Sequence, residues 1–311
     1  MKLLIYKKEM AVKREKTGFT LVELLTVLAI IALLVGLLIP SVTVIRNTAK
    51  GAKQKAQLNE IGLALTAFRN DYGDYPPSDW LAPNYCGAQK LAEALLGWDL
   101  LGFHPKSAWR ADGLDAAGGP MSYDPPNMAR DVDGDGVSDT LGEREGPYLE
   151  QATDNVFKLG DLYTGPTGTG PLAADTYVIC DSFSVKKVKL LSGETVNAGT
   201  PILYYRANTA SKGLVPPPPL PFNQRIYNVR DNVPLTTQLM SIVDGTAHRL
   251  GLPAGNYQNF YGNPAANVIG YIQDPKVTAR PWPYRPDSYI LISAGADGLY
   301  GTRDDICNFG N

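Results

Sequence analysis

Residues 16–39 read Lys16-Thr17-Gly18-Phe19-Thr20-Leu21-Val22-Glu23-Leu24-Leu25-Thr26-Val27-Leu28-Ala29-Ile30-Ile31-Ala32-Leu33-Leu34-Val35-Gly36-Leu37-Leu38-Ile39. From Phe19 onward the run is apolar over about the ~20 residues a helix needs to cross a bilayer. One carboxylate, Glu23, interrupts it. On the N-terminal side, residues 1–18 hold six Lys or Arg against two Glu, so they carry +4 of a total of −2 and leave −6 for the rest. Basic residues flanking an apolar span keep that end in the cytoplasm, which predicts that the bulk of the chain lies on the other side. A secretory signal peptide has a shorter apolar region and a small-residue cleavage site after it; neither is present before Pro40. A plain signal anchor needs only charge and apolarity. It does not account for Glu23, whose burial in lipid costs roughly 2–3 kcal/mol and implies a partner or a function.

The decamer Lys16 to Leu25 resembles the class III signal of type IV pilins and type II secretion pseudopilins. In that family a membrane aspartyl peptidase, the prepilin peptidase, cuts after the glycine and methylates the new amino terminus. The resemblance implies cleavage between Gly18 and Phe19, N-methylation of Phe19, and an assembly role for Glu23. The physics is consistent with this. A new amine on one apolar helix and a carboxylate at similar depth on its neighbour each relieve the other's desolvation, which fixes an axial stagger between subunits. A glycine at position 18 allows close backbone approach by the peptidase.

Beyond Ile39 the helical pattern continues, with Pro40 as a predicted interruption. Leu58, Ile61, Leu65 and Phe68 form a stripe at helical spacing that reads as core packing, with Lys50, Lys53, Lys55, Asn59 and Arg69 solvated. The helix is expected to stop at Asn70-Asp71-Tyr72-Gly73, before Pro76-Pro77. That junction, Ala67 to Pro76, resembles the one in the major, G-type pseudopilins. A short helix is expected over Ala88 to Leu101. Strands are expected at 177–181, 185–191, 201–205 and 288–293, forming a small antiparallel sheet on the apolar helix face. The fold class is thus α+β: a long N-terminal helix, half transmembrane and half amphipathic, packed on a small antiparallel sheet in a loop-rich, pilin-like head. The organisation read from the chain is a cleaved leader at 1–18, a membrane and filament-core helix at 19–40, and an amphipathic helix at 41–72. A loop-rich insertion at 73–170 and a sheet with a terminal loop at 171–311 complete it.

Gly and Pro make up 55 of the 311 residues, which excludes a helical bundle, and the near-neutral balance offers no pull toward nucleic acid. Asp131, Asp133, Asp135 and Asp139 alternate with Gly and Val. Carboxylates so spaced converge on a hard cation, with calcium the natural one and a solvated acidic turn the alternative. The closing segment Ser293 to Ile306 resembles the loop in which G-type pseudopilins bind calcium. By position that likeness puts Asp297 and Asp304 as ligands, and Asp305 as a further candidate. The segment Pro166 to Gly170 lacks the Lys-Ser/Thr of a phosphate loop and reads as an ordinary loop. The run Pro216 to Pro219 reads as an extended linker. Any one pair among Cys86, Cys180 and Cys307 can be oxidised in an exported domain.

His104 and His248 sit in no catalytic motif, so the chain reads as a non-enzyme. The resemblance implies a subunit of a type II secretion pseudopilus, inserted once in the inner membrane with its C-terminal domain in the periplasm. Its partners are then copies of itself, other pseudopilins, the prepilin peptidase, and the inner-membrane assembly platform with its ATPase. Two other readings stand beside it: a minor type IV pilin or surface adhesin, and a calcium-dependent hydrolase on a pilin-like anchor.

Overall fold

The computed structural model describes residues 18, 20–80, 84–114, 123, 139–149, 155–164, 168–190, 193–214 and 221–310. The candidate loop residues Asp131, Asp133 and Asp135, the Pro216 to Pro219 run and Phe19 lie outside them. The chain divides into two compact units, 1–48 and 49–311.

One helix, α1, spans Leu21–Tyr72 and runs unbroken through Pro40, where an interruption was expected. Its membrane-length portion, Leu21–Ile39, has a mean hydropathy of 2.9 and no buried residue. Its apolar side chains are exposed all round, from Leu21 to Ile39. A helix apolar on every side is one built for lipid or for other helices.

Within the second unit, burial along α1 follows the helical period: Gln54, Leu58, Ile61, Leu65 and Phe68 are buried, and Lys53, Lys55, Asn59 and Arg69 are exposed. The predicted stripe is thus the packed one, extended one turn toward the N-terminus by a glutamine. The helix stops at Tyr72, and Gly73 follows with φ +82.

Helix α2 spans Gly87–Leu96 and is buried throughout. It was expected to reach Leu101. It ends early because Gly97 adopts φ +92 and lies so close to Gly102 that any Cβ would strike the Gly102 backbone. Trp98, placed on the helix by periodicity, belongs instead to the following loop, where its indole donates to Ala111 O at 3.0 Å. Single-turn helices follow at Asp139–Gly142 (α3), Leu159–Leu162 (α4) and Gln258–Tyr261 (α5).

The strands are β1 (Val156–Lys158), β2 (Tyr177–Ile179), β3 (Lys186–Lys189), β4 (Thr195–Ala198), β5 (Leu203–Arg206), β6 (Gly262–Asn263), β7 (Val268–Ile269), β8 (Tyr289–Ser293) and β9 (Ile306–Cys307). All four predicted strands are present. They do not share a single sheet: β1 pairs with β2, β3 with β4 and β6 with β7, while β5, β8 and β9 form a three-stranded antiparallel sheet. In that sheet Tyr204 faces Leu291 and Ser293 faces Ile306.

Both faces of the three-stranded sheet are covered. Tyr204, Tyr289 and Leu291 share a core cluster with Leu58, Ile61 and Leu65 of α1 and Leu91 and Leu95 of α2. On the other face Leu203, Tyr205, Ile290 and Ile292 pack with Tyr227, Leu250, Phe260 and Tyr300. Burial on both sides explains why β8 reads as the continuous apolar run Tyr-Ile-Leu-Ile rather than an alternation. The outer edge of β5 is not open: Asn232 Nδ2 donates to Tyr204 O at 2.7 Å, and Ser78 Oγ accepts from Arg206 N at 2.9 Å.

A polar row fastens α1 to the segment after β2. Lys50 Nζ donates to Phe183 O (2.6 Å), Gln54 Oε1 accepts from Ser182 N (2.7 Å), and Gln57 Nε2 donates to Cys180 O (2.9 Å). Residues 50, 54 and 57 stand one helical turn apart, so one face engages three main-chain groups within residues 180–183. All three cysteines are free thiols.

Candidate functional site

Two regions carry the residues singled out by sequence. At the first, Thr20 caps the start of α1. Its hydroxyl accepts from Glu23 N (3.2 Å), and Glu23 Oε2 accepts from both Thr20 N (2.9 Å) and Thr20 Oγ1 (2.7 Å). This is a reciprocal capping box, in which Thr and Glu three apart satisfy orphan helix donors. The Thr-x-x-Glu spacing was readable in the sequence, yet its capping role was missed because attention fell on the charge alone. The carboxylate serves the helix terminus locally while standing among exposed apolar side chains. Thr26 Oγ1 donates to Glu23 O at 3.0 Å, fitting a hydroxyl into the same apolar turn. At Gly18 an added Cβ would meet nothing within 4 Å. Among the described residues no contact therefore demands a glycine there.

The second region is the loop between β8 and β9. It folds back so tightly that a Cβ on Gly295, where φ is +68, would collide with the Asp304 backbone. Asp304 Oδ2 accepts from Asp297 N at 2.9 Å and Asp304 Oδ1 from Thr302 Oγ1 at 2.6 Å, while Asp297 Oδ1 accepts from Leu299 N at 2.8 Å. Asp297 and Asp304 are thus brought together. Burial, followed by the neighbouring Asp304 charge, raises the Asp297 pKa. Burial also opposes ionisation of Asp304, but the donors from Thr302 and the Asp297 amide outweigh it, and its pKa falls.

Asp305 does not join this pair. Its Oδ2 accepts from Tyr271 OH (2.6 Å) and Gly301 N (2.8 Å), and its Oδ1 from Thr302 N (3.3 Å). Burial raises its pKa to about 6. Tyr271 OH also lies 3.1 Å from Cys307 Sγ, so Asp305 helps pin the chain end to the 271 segment. Calcium takes six to eight oxygens. Among the described residues no group of three or more His, Cys, Asp or Glu side chains gathers as a metal site. The two adjoining carboxylates, Asp297 and Asp304, fall short of that number by themselves. Asp139 opens α3, apart from the terminal loop in sequence.

Neither histidine is poised for catalysis. His248 is buried and accepts from Tyr300 N through Nδ1 at 3.2 Å, and burial lowers its pKa to about 4. His104 Nδ1 accepts from Lys106 N at 3.1 Å, and burial lowers its pKa as well.

The Prokaryotic N-terminal methylation motif matches residues 13–39. The type II secretion system core protein G of Pseudomonas aeruginosa (strain ATCC 15692) is 29% identical over 117 residues, which covers 36% of this chain and 75% of that protein. No solved structure matches the chain. With that motif and that relative, the chain is pseudopilin-like. Its apolar helix and motif fit a single-pass inner-membrane protein.

Proposed function

We propose that the chain is a structural subunit of a type II secretion pseudopilus, resembling the major pseudopilin. In this reading prepilin peptidase cuts between Gly18 and Phe19 and methylates Phe19. The apolar helix holds the protein in the inner membrane, with the 49–311 unit in the periplasm. The assembly platform and its ATPase then add it to a filament of identical copies and other pseudopilins. The observation that carries the reading is Glu23, a carboxylate inside an otherwise apolar helix of bilayer length. Gly18 supports it independently. A glycine that no contact among the described residues requires fits an enzyme that must reach the adjacent peptide bond.

The test is a pair of substitutions followed in membranes and in sheared filaments. Gly18→Ala leaves unprocessed precursor in the membrane. Glu23→Ala is processed but is depleted from filaments, because the neighbour's amine loses its counter-charge. Wild-type filament yield from both variants refutes the proposal. Copy number then separates a major subunit from a minor pilin or adhesin, since substoichiometric amounts contradict the major role.

Calcium belongs to the same proposal. Asp297 and Asp304 would hold the ion at the terminal loop, where a hard cation neutralises two adjoining carboxylates and orders a glycine-rich segment. A second ion is assigned to the loop of Asp131, Asp133, Asp135 and Asp139.

A further inference from the structure

The second unit carries an open cleft of about 1520 Å³. Four separate segments build it: 77–80, 206–210, 221–233 and 255–264. Its volume exceeds the roughly 300–1,000 Å³ of a typical small-molecule site, so it has room for a chain of several rings.

Its lining is aromatic below and donor-rich at the rim. Trp80 and Phe222 are half-buried and face the cleft. The Arg230 guanidinium stacks 4.6 Å from the Phe222 ring centre, and no salt bridge among the described residues engages it. Of the other charges nearby, Arg206 pairs with Asp74 and Lys90 with Asp79, while the buried Arg225 stacks on Phe222 and Tyr261 at 4.7 and 4.2 Å. At the rim, Asn256 Oδ1 accepts from Gln258 N (3.3 Å), and Asn263 Oδ1 from Ala265 N (3.1 Å) and Ala266 N (3.3 Å). Each carboxamide oxygen is thus turned to its own backbone, leaving the NH2 group as the end available to a ligand.

One acceptor completes the set. Asp231 is 3% exposed; its Oδ2 accepts from Ser78 Oγ, while its Oδ1 has no hydrogen-bond partner among the described residues. A buried, half-satisfied carboxylate lining a cleft is an acceptor held for something else.

We propose that this cleft binds an acidic saccharide, an oligosaccharide carrying a carboxylate or sulfate group. Sugar rings present an apolar CH face to Trp80 and Phe222 and an oxygen-rich edge to the Asn256 and Asn263 amides. A ring hydroxyl donates to Asp231, and the anionic substituent takes the charge-assisted bonds of Arg230. A peptide is the poorer fit. It brings donors and acceptors in equal number and seeks a strand edge; the edge of β5, whose Arg206 lines the cleft, is already occupied by Asn232 and Ser78, and β6, which also lines it, is only two residues long.

The experiment uses the full chain in detergent micelles on an array of uronate-, sialate- and sulfate-bearing oligosaccharides, their neutral counterparts of equal length, and acidic peptides. Acidic oligosaccharides are retained in preference to both other groups. Arg230→Ala weakens the best acidic ligand at least tenfold, to the level of its neutral counterpart, without moving the melting temperature. Trp80→Ala weakens acidic and neutral ligands alike. Retention of no oligosaccharide, preference for the acidic peptides, or an unaltered acidic preference in Arg230→Ala overturns the proposal.

Discussion

Gln54 is the most demanding test of how α1 is held in the 49–311 unit. Its side chain is fully buried, and Oε1 accepts the Ser182 amide at 2.7 Å. Gln54→Ala leaves that N–H buried without a partner, at a cost of roughly 1–3 kcal/mol. The one lost methylene adds about 0.8 kcal/mol, and the cavity left by the rest of the side chain adds roughly as much again. A partial offset comes from Nε2, which is itself buried and unpartnered in the wild type. The net expectation is about 3 kcal/mol. Gln57 is the internal control. It makes a bond of similar length to Cys180 O but is only half-buried, so water replaces much of what Gln57→Ala removes, and the loss is about 1 kcal/mol. Urea unfolding of the 47–311 fragment, with identical m-values required, measures both. The separation between the two variants, about 2 kcal/mol, is the quantity that matters. If Gln54→Ala falls within ~0.5 kcal/mol of Gln57→Ala, the assignment of a buried main-chain latch is wrong.

Three further outcomes are expected. Gly87→Ala drives a Cβ into Tyr204 O and to 3.0 Å from Asn232 Nδ2 where α2 crosses β5, and overpacking of that kind costs about 1–3 kcal/mol in the same unfolding assay. Asp181 is wholly buried, and that burial raises its pKa to about 7, so the folded state holds a proton that the unfolded state releases near 4. Its contribution to stability is then complete below about pH 4 and is lost as pH rises to about 7. Asp181→Asn should flatten that decline and be the more stable protein at pH 8; an unchanged pH slope refutes the assignment. Calcium should raise the melting temperature of the 47–311 fragment, with chelation reversing the effect. Asp304→Asn should abolish the part due to the terminal loop, and calorimetry without heat of binding removes the calcium proposal.

Periodicity carried well where burial follows one helix or one strand. The stripe from Leu58 to Phe68 and the run Tyr289 to Ser293 were legible because each element buries a face with its own repeat. Gln54 was missed although it lies at the right interval, four before Leu58, because a polar side chain carries no apolar signal. Its partner, the Ser182 amide, is invisible in any sequence. The early end of α2 escaped for a similar reason: Gly97 stops the helix through contact with Gly102, and Trp98 and Leu101 kept the helical pattern alive past it. Separate ladders appeared where one sheet was expected, since strand type is local and strand partnership is not. Asp304 accepts from the Asp297 amide within the terminal loop, and Asp305 accepts from Tyr271, 34 residues earlier, a contact that loop spacing alone does not reveal. The cleft had no sequence signature, as its walls come from four distant segments.

The side chains that close the outer edge of β5 bear on how this protein can associate with other chains. A bare strand edge invites a strand from any neighbour, which is the common road to swapped dimers and to amyloid. With Tyr204 O and Arg206 N already occupied from within the chain, an incoming strand must first evict Asn232 and Ser78. Strand exchange is thereby disfavoured at the edge of the largest sheet in the head. For a subunit that joins a filament through one terminal helix, as proposed above, a closed edge on β5 removes one competing route of association.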